Sequence, residues 1–167
     1  MVKTMAQAHP KPGLRPFLPD DVPMLAAIFA ASIQELTGDD YSEAQQEAWM
    51  EAAETAEFGK RLAADLTLIA TLEGSPVGFA SLRGADHIRM LYVHPAVGRQ
   101  GIATMLVDAL EKLAGGRGAA ALTVDASDTA QNFFAKRGYT AQQRNSVTMN
   151  DEWLANTTMK KTLGAAQ

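Results

Sequence analysis

The residues best placed by type and spacing to do chemistry are Gly98-Arg99-Gln100-Gly101-Ile102-Ala103-Thr104. Two glycines bracket Arg99 and Gln100. The run Met90, Leu91, Tyr92, Val93 precedes them and reads as a strand covered on both faces. Pro95 ends that strand, since proline cannot donate to a ladder. Apolar residues then fall at 102, 105, 106, 109, 110 and 113, a helical stripe. A helix opened by a glycine loop gathers unpaired backbone N–H groups and the positive end of its dipole at one point. That arrangement suits a phosphate, and glycine lets the backbone approach it closely. The spelling is neither Gly-x-Gly-x-x-Gly, as a dinucleotide loop requires, nor a nucleotide-triphosphate loop, which needs Lys after its last glycine. A strand–loop–helix junction with incidental glycines shares the spelling.

Those residues must be positioned by a folded domain. The chain has 167 residues, the length of one domain with a sizeable core. Hydrophobic residues make up 47% and charged residues 20%, an ordinary globular composition. No apolar run is long enough to span a membrane, and no apolar signal core opens the chain, so the expected setting is cytoplasmic. Cysteine is absent, which excludes disulfides, cysteine metal sites and a cysteine nucleophile. With three His and no clustered ligands, no metal site is expected. Lys plus Arg is 15 and Asp plus Glu is 19, a net charge of −4, which argues against general nucleic-acid binding.

Residues 1–12 read as a disordered leader and 13–163 as one domain. A short strand over 14–17 leads to a helix with Asp20 or Asp21 as cap and Pro23 in its first turn. The helix's apolar face holds Met24, Leu25, Ile28, Phe29 and Ile33. The run Thr37-Gly38-Asp39-Asp40 breaks it. Ser42 and Gln45 spell a capping box for a second helix, which continues through residues 50–61 with a break near Phe58-Gly59. Strands follow over 66–72 and 77–82, joined by the turn Glu73-Gly74-Ser75-Pro76, and a third covers 87–93. Gly115 to Gly118 stops the glycine-loop helix. A strand over 119–124, a helix through Phe133, Phe134 and Lys136, a strand over 140–149 and a last strand within 153–163 complete the chain. Tyr41 and Trp49 are either packing residues or part of a ligand pocket.

Gly98-Arg99-Gln100-Gly101-Ile102-Ala103 after Leu91-Tyr92-Val93-His94-Pro95 resembles the pyrophosphate loop of the GNAT acyltransferases. Gly98 departs from that pattern, standing where Gln or Arg is usual. A second match is independent: Ser127, Ala130, Phe133, Phe134, Gly138 and Tyr139 have the spacing of the family's later motif. The order of strands and helices also resembles the family, over about 14–161. The Tyr41-to-Trp49 segment, residues 123–127 and the Trp153 tail look like the bacterial YafP-type subgroup.

The resemblance implies an α/β (α+β) fold: a central mixed sheet of six to seven strands flanked by helices, splayed between strands 4 and 5. It implies acetyl-CoA as co-substrate and a primary amine of a small molecule or peptide as acceptor. Backbone groups from Gly98 and Arg99 through Gln100, Gly101, Ile102, Ala103 and Thr104 would hold the pyrophosphate. Leu91, Tyr92 and Val93 would flank the pantetheine arm, with Ser127, Ala130 and Phe134 across from them. Arg137 and Lys136 would face the 3′-phosphate. A backbone N–H at Leu91 or Val93 would polarise the thioester carbonyl. Ser127 replaces the usual Asn, and Phe134 replaces the Tyr that commonly acts as general acid.

Counted back from Leu91, His87 takes the place of the family's usual Glu, and a histidine suits general-base work near neutrality. A structural His at a strand start is the alternative. Tyr92 and Ser127 remain as proton donors. By two-residue alternation Arg89 shares a side with His87 and Leu91, where it binds an acidic part of the acceptor or pairs with Asp86 or Asp125. His94 reads as structural. The implied activity is N-acetyl transfer in a ternary complex by a monomer or homodimer. A non-catalytic acyl-CoA-binding module is the alternative, because Phe134 has no proton to give.

Overall fold

The computed structural model of the protein describes residues 11–98 and 100–164. Most of the expected leader lies outside them, but Pro12 already belongs to the first strand, β1 (Pro12–Pro16). Then come α1 (Val22–Leu36), α2 (Glu43–Met50), α3 (Ala56–Ala64), β2 (Leu66–Leu72), β3 (Ser75–Arg83) and β4 (His87–Val93). The second half holds α4 (Ile102–Gly116), β5 (Ala121–Ser127), α5 (Gln131–Lys136), β6 (Thr140–Met149) and β7 (Glu152–Thr162). The strands form one mixed sheet ordered β1-β2-β3-β4-β5-β7-β6, with β4–β5 its parallel pair. This is the expected architecture, with seven strands.

Helix α1 forms because Leu25, Ile28, Phe29 and Ile33 recur at helical spacing and bury one face. Each such side chain stabilises the fold by roughly 1.5–3 kcal/mol when fully buried. Met24 lies outside this stripe and is exposed, contrary to expectation. Asp21 does not cap α1 with its side chain. Its carboxylate takes two hydrogen bonds of 2.8 Å from Arg15 and one of 2.8 Å from the Leu18 N–H. The Ser42–Gln45 capping box of α2 is present in both directions. The helix break falls at Glu51–Glu54, a 3-10 turn, and not at Phe58-Gly59. Phe58 is buried within α3, and Gly59 lies close against Val22, so packing on α1 holds that turn helical.

The sheet separates two cores. One packs β-sheet residues against α4 and α5, and includes Ile102, Leu106, Leu110, Phe134 and Tyr139. The other packs α1 and α3 against Ile69, Phe79 and Met90. Glu73 (φ 52°) and Gly74 (φ 84°) make the tight β2–β3 turn.

β4 carries a register shift. Ser81 faces Met90, and Leu82 faces Ile88, so Arg89 is an extra residue on β4. Ile88 and Leu91, three apart, therefore pack into the same core around α4, while Met90 and Tyr92 face α1. The alternation used to align Arg89 and His87 with Leu91 does not hold across this bulge.

Candidate active site

β4 and β5 pair at only two positions, His87↔Thr123 and Ile88↔Val124. Beyond them the strands part, because β5 turns to its antiparallel partner β7 along its whole length. A cavity of about 630 Å³ occupies the opening. Leu91, Tyr92 and Val93 line it from β4, and Ala103 lines it from the start of α4. Ser127, Ala130 and Phe134 line it from the other side, and His87 lies at its far end. The two sequence motifs, separated along the chain, thus meet across one groove.

At the α4 end, Gly101 adopts φ 78°, the left-handed region that favours glycine, and occupies the cap position with no side-chain cap. The first intrahelical acceptor is the Gly101 carbonyl, bound by the Met105 N–H at 3.0 Å. The N–H groups of Ile102, Ala103 and Thr104 precede that bond and are left to a ligand or solvent. A Cβ at Gly101 meets no protein atom within 4 Å, so the space above the glycine is open. The Ile102 side chain points the other way, into the core, against Gly78 of β3. Gly98 closes a 3-10 turn over Pro95–Val97, whose Ala96 N–H donates to His94 Nδ1 at 3.1 Å, so His94 is structural. Gln100 is exposed, and Arg99 lies outside the described residues.

Arg137 does not stand free for a phosphate. It pairs with Asp108 and, at 3.6 Å, with Glu111, both on α4. Lys136 beside it is exposed. Phe134 is 2% exposed and forms part of the core, with its ring edge-on to Phe133 and Tyr139. Ser127 Oγ accepts from the Ala130 N–H at 3.1 Å, which shapes the turn into α5.

His87 is largely buried, with 14% of its side chain exposed. Its Nδ1 lies 2.8 Å from Thr123 Oγ1. That hydroxyl also reaches the Asp86 carbonyl at 3.4 Å. A carbonyl only accepts, so the hydroxyl donates to it and accepts a hydrogen bond from the Nδ1–H. This network assigns the neutral ring's proton to Nδ1 and leaves Nε2 as the basic nitrogen, 3.9 Å from Asp125. Burial, with Arg83 and then Arg89 nearby, holds the His87 pKa below its ordinary value, and Asp125 and Asp86 oppose that shift. Asp125 is in turn held by Thr158 at 2.6 Å, and Asn145 reaches Thr158 at 2.7 Å.

Tyr92 packs on Phe29 with the rings tilted by 56° and 4.6 Å between centroids, and accepts from Trp49 Nε1 at 3.3 Å. Burial pushes its hydroxyl up to about 12, so it keeps its proton at physiological pH. Because Trp49 is the donor in that bond, the Tyr92 proton is left for another acceptor.

Arg89 pairs with neither Asp86 nor Asp125. It donates to Asp65 at 2.7 and 3.2 Å, and the Asp65 side chain is 2% exposed. Tyr41 is mainly a packing residue: its hydroxyl donates to the Ala155 carbonyl at 2.6 Å and accepts from the Asp128 N–H at 2.9 Å. It and Trp49, edge-on at 5.3 Å, also line the cavity. Sequence reasoning gave Thr123, Arg61 and Arg83 no part in the site and named Asp125 only as a candidate partner of Arg89. Strand register sets Thr123, Asp125 and Arg83 around His87, and the packing of α3 brings Arg61 to the groove.

A family model described as an acetyltransferase (GNAT) domain matches residues 37–163. The chain is 33% identical over 147 residues to the uncharacterized N-acetyltransferase YafP of Escherichia coli K12, covering 88% of this chain and 93% of that one. A crystal structure from Rhodopseudomonas palustris, described as a GCN5-related N-acetyltransferase and as a class-II aminotransferase, is 64% identical. It superposes with a TM-score of 0.91 over 94% of this chain and 99% of that one. The PaiA N-acetyltransferase of Thermoplasma acidophilum, solved with coenzyme A, shares the fold at TM-score 0.76 and 18% identity, over 91% and 99% of the two chains. A splayed sheet, a glycine-opened helix at its mouth and a matching family model over most of the length converge: the chain belongs to the GNAT acetyltransferases, as a YafP-like acetyl-CoA-dependent acyltransferase.

Proposed function

We propose that the protein transfers the acetyl group of acetyl-CoA to a primary amine of a small molecule or peptide, directly within a ternary complex. The observation that carries this reading is the continuous cavity from the open N-terminus of α4, past the parted β4–β5 edges, to His87. The α4 N–H groups and dipole hold the pyrophosphate. The β5-facing backbone of residues 90–93 has no strand partner in the pairing with β5, which suits both the pantetheine amides and the thioester oxygen. The chain has no cysteine to carry the acyl group, so amine nitrogen attacks the thioester carbon directly.

An amine near neutrality must first lose a proton. His87 Nε2 takes it, directly or through one water, and its lowered pKa keeps it in the basic form. The C–N bond forms and the C–S bond breaks; the nitrogen gives its second proton to solvent as the amide forms, and the thiolate takes one from solvent or from the Tyr92 hydroxyl, which solvent then reprotonates. Ser127 is the second donor, on the opposite wall. Phe134, buried and without a hydroxyl, favours the alternative of an acyl-CoA-binding module that does not turn over. Calorimetry with CoA and thiol release with an amine panel test the reading together. CoA binding with turnover supports it, CoA binding without turnover favours the binding module, and no CoA binding overturns both.

A further inference from the structure

At its His87 end the groove is lined by Arg61, Arg83 and Arg89 against a single acid, Asp125, although the chain as a whole is net negative at −4. These residues converge by register. Arg61 stands in the last turn of α3, just before β2; Leu66 of β2 faces Leu82; and Arg83 faces His87. Arg89 is already neutralised by Asp65. Among the described residues, no hydrogen bond or ion pair engages the guanidinium of Arg61 or Arg83. CoA does not account for this charge: β4 runs about 20 Å from His87 to Val93, and the phosphate end lies beyond Val93. A second cavity of about 310 Å³ shares Arg61 and Arg89 with the first; its walls include Phe29, Trp49, Phe58 and Tyr92, and one acid, Glu57, which is not paired with Arg61.

Resting on the transferase reading above, we propose that the acceptor is an amine with an apolar or aromatic body that also carries an anionic group. The body occupies the aromatic cavity beside Tyr92. The anion pairs with Arg61 and Arg83, whose charge-assisted bonds select it over a neutral amine of the same shape.

The experiment uses matched amines differing in one carboxylate: 4-(aminomethyl)benzoate against benzylamine, and 6-aminohexanoate against hexylamine. Thiol release from acetyl-CoA gives kcat/KM for each. Calorimetry on the CoA-loaded protein gives binding without turnover. The acid member of a pair should be preferred by roughly tenfold to a hundredfold, with the aromatic acid ahead of the aliphatic one. Arg61→Gln and Arg83→Gln should each raise KM for the acid with a small change in kcat, bring the ratio toward one and remove its salt dependence, while CoA affinity stays at the wild-type value. A neutral amine bound and used as well as its acid, absence of acid binding to the CoA-loaded protein, or a ratio unmoved in both variants overturns the proposal. Failure of CoA itself to bind overturns instead the transferase reading on which it rests.

Discussion

At the residue scale the groove is defined by two groups whose protonation is set by their surroundings. His87 has its pKa lowered chiefly by burial, so its neutral form persists below the ordinary histidine midpoint of 6.5. If Nε2 is the base, the acidic limb of kcat/KM should rise with pH about a midpoint below 6.5 and level off above it. The same limb should vanish in His87→Gln, with turnover reduced roughly 10²–10⁴-fold. A pH–rate profile of both proteins checks this, and an unchanged limb in the variant assigns it to another group. Tyr92 sits at the opposite extreme, protonated up to about 12. Tyr92→Phe removes a proton donor, but a thiol with a pKa of about 8.5 leaves readily on its own. Turnover should therefore fall by less than in His87→Gln, which single-turnover measurements with acetyl-CoA can establish.

At the element scale, two glycines hold the loop–helix unit in place for different reasons. Gly101 is required by its backbone, at φ 78°, and its missing Cβ leaves open space where the phosphates would lie. Gly101→Asn should fold nearly as well as wild type, because Asn tolerates the left-handed region, yet lose most CoA affinity to its side chain. Calorimetry and thermal unfolding separate the two effects, and full affinity in the folded variant refutes the loop assignment. Gly78 is required by its neighbours. A Cβ there would lie 3.1 Å from both Ile102 Cγ2 and the Tyr92 carbonyl, where α4 starts against β3. Overpacking of that kind costs about 1–3 kcal/mol, so Gly78→Ala should lower stability in urea unfolding by that amount and shift the start of α4.

At the scale of the whole molecule, Tyr41 ties the helical layer to the far half of the sheet. Its hydroxyl joins the start of α2 to Ala155 of β7 and to Asp128 after β5, residues more than 80 positions away in the chain. Gln45 adds a bond of 2.6 Å to the Trp153 carbonyl. These contacts close the groove at one wall. Tyr41→Phe leaves two backbone groups without that partner, which should cost about 1–3 kcal/mol. For a chain of this size each kcal/mol corresponds to about 2–4 °C in Tm, measurable by differential scanning calorimetry. The two cores on either face of the sheet meet at β4, so the strand that lines the groove is also the one both helical layers grip.

The sequence by itself determined the features that repeat locally. Helical spacing gave α1 and α4, alternation and turn residues gave the β2–β3 hairpin, the Ser42–Gln45 pair marked the start of α2, and the two motifs carried the family resemblance. Each depends on residues within a few positions of one another, where the chain's own geometry fixes the relation. What the tertiary structure decided were relations across strands. The extra residue at Arg89 moved Leu91 to the opposite face from the one alternation assigns, and no residue type announces such a bulge. Arg89 went to Asp65 and Arg137 to Asp108 and Glu111, because a buried or half-buried cation takes the carboxylate that packing brings to it. Thr123 and Asp125 reached His87 through a parallel pairing two residues long. Partners separated by dozens of residues are chosen by register and packing, and those are properties of the folded sheet as a whole.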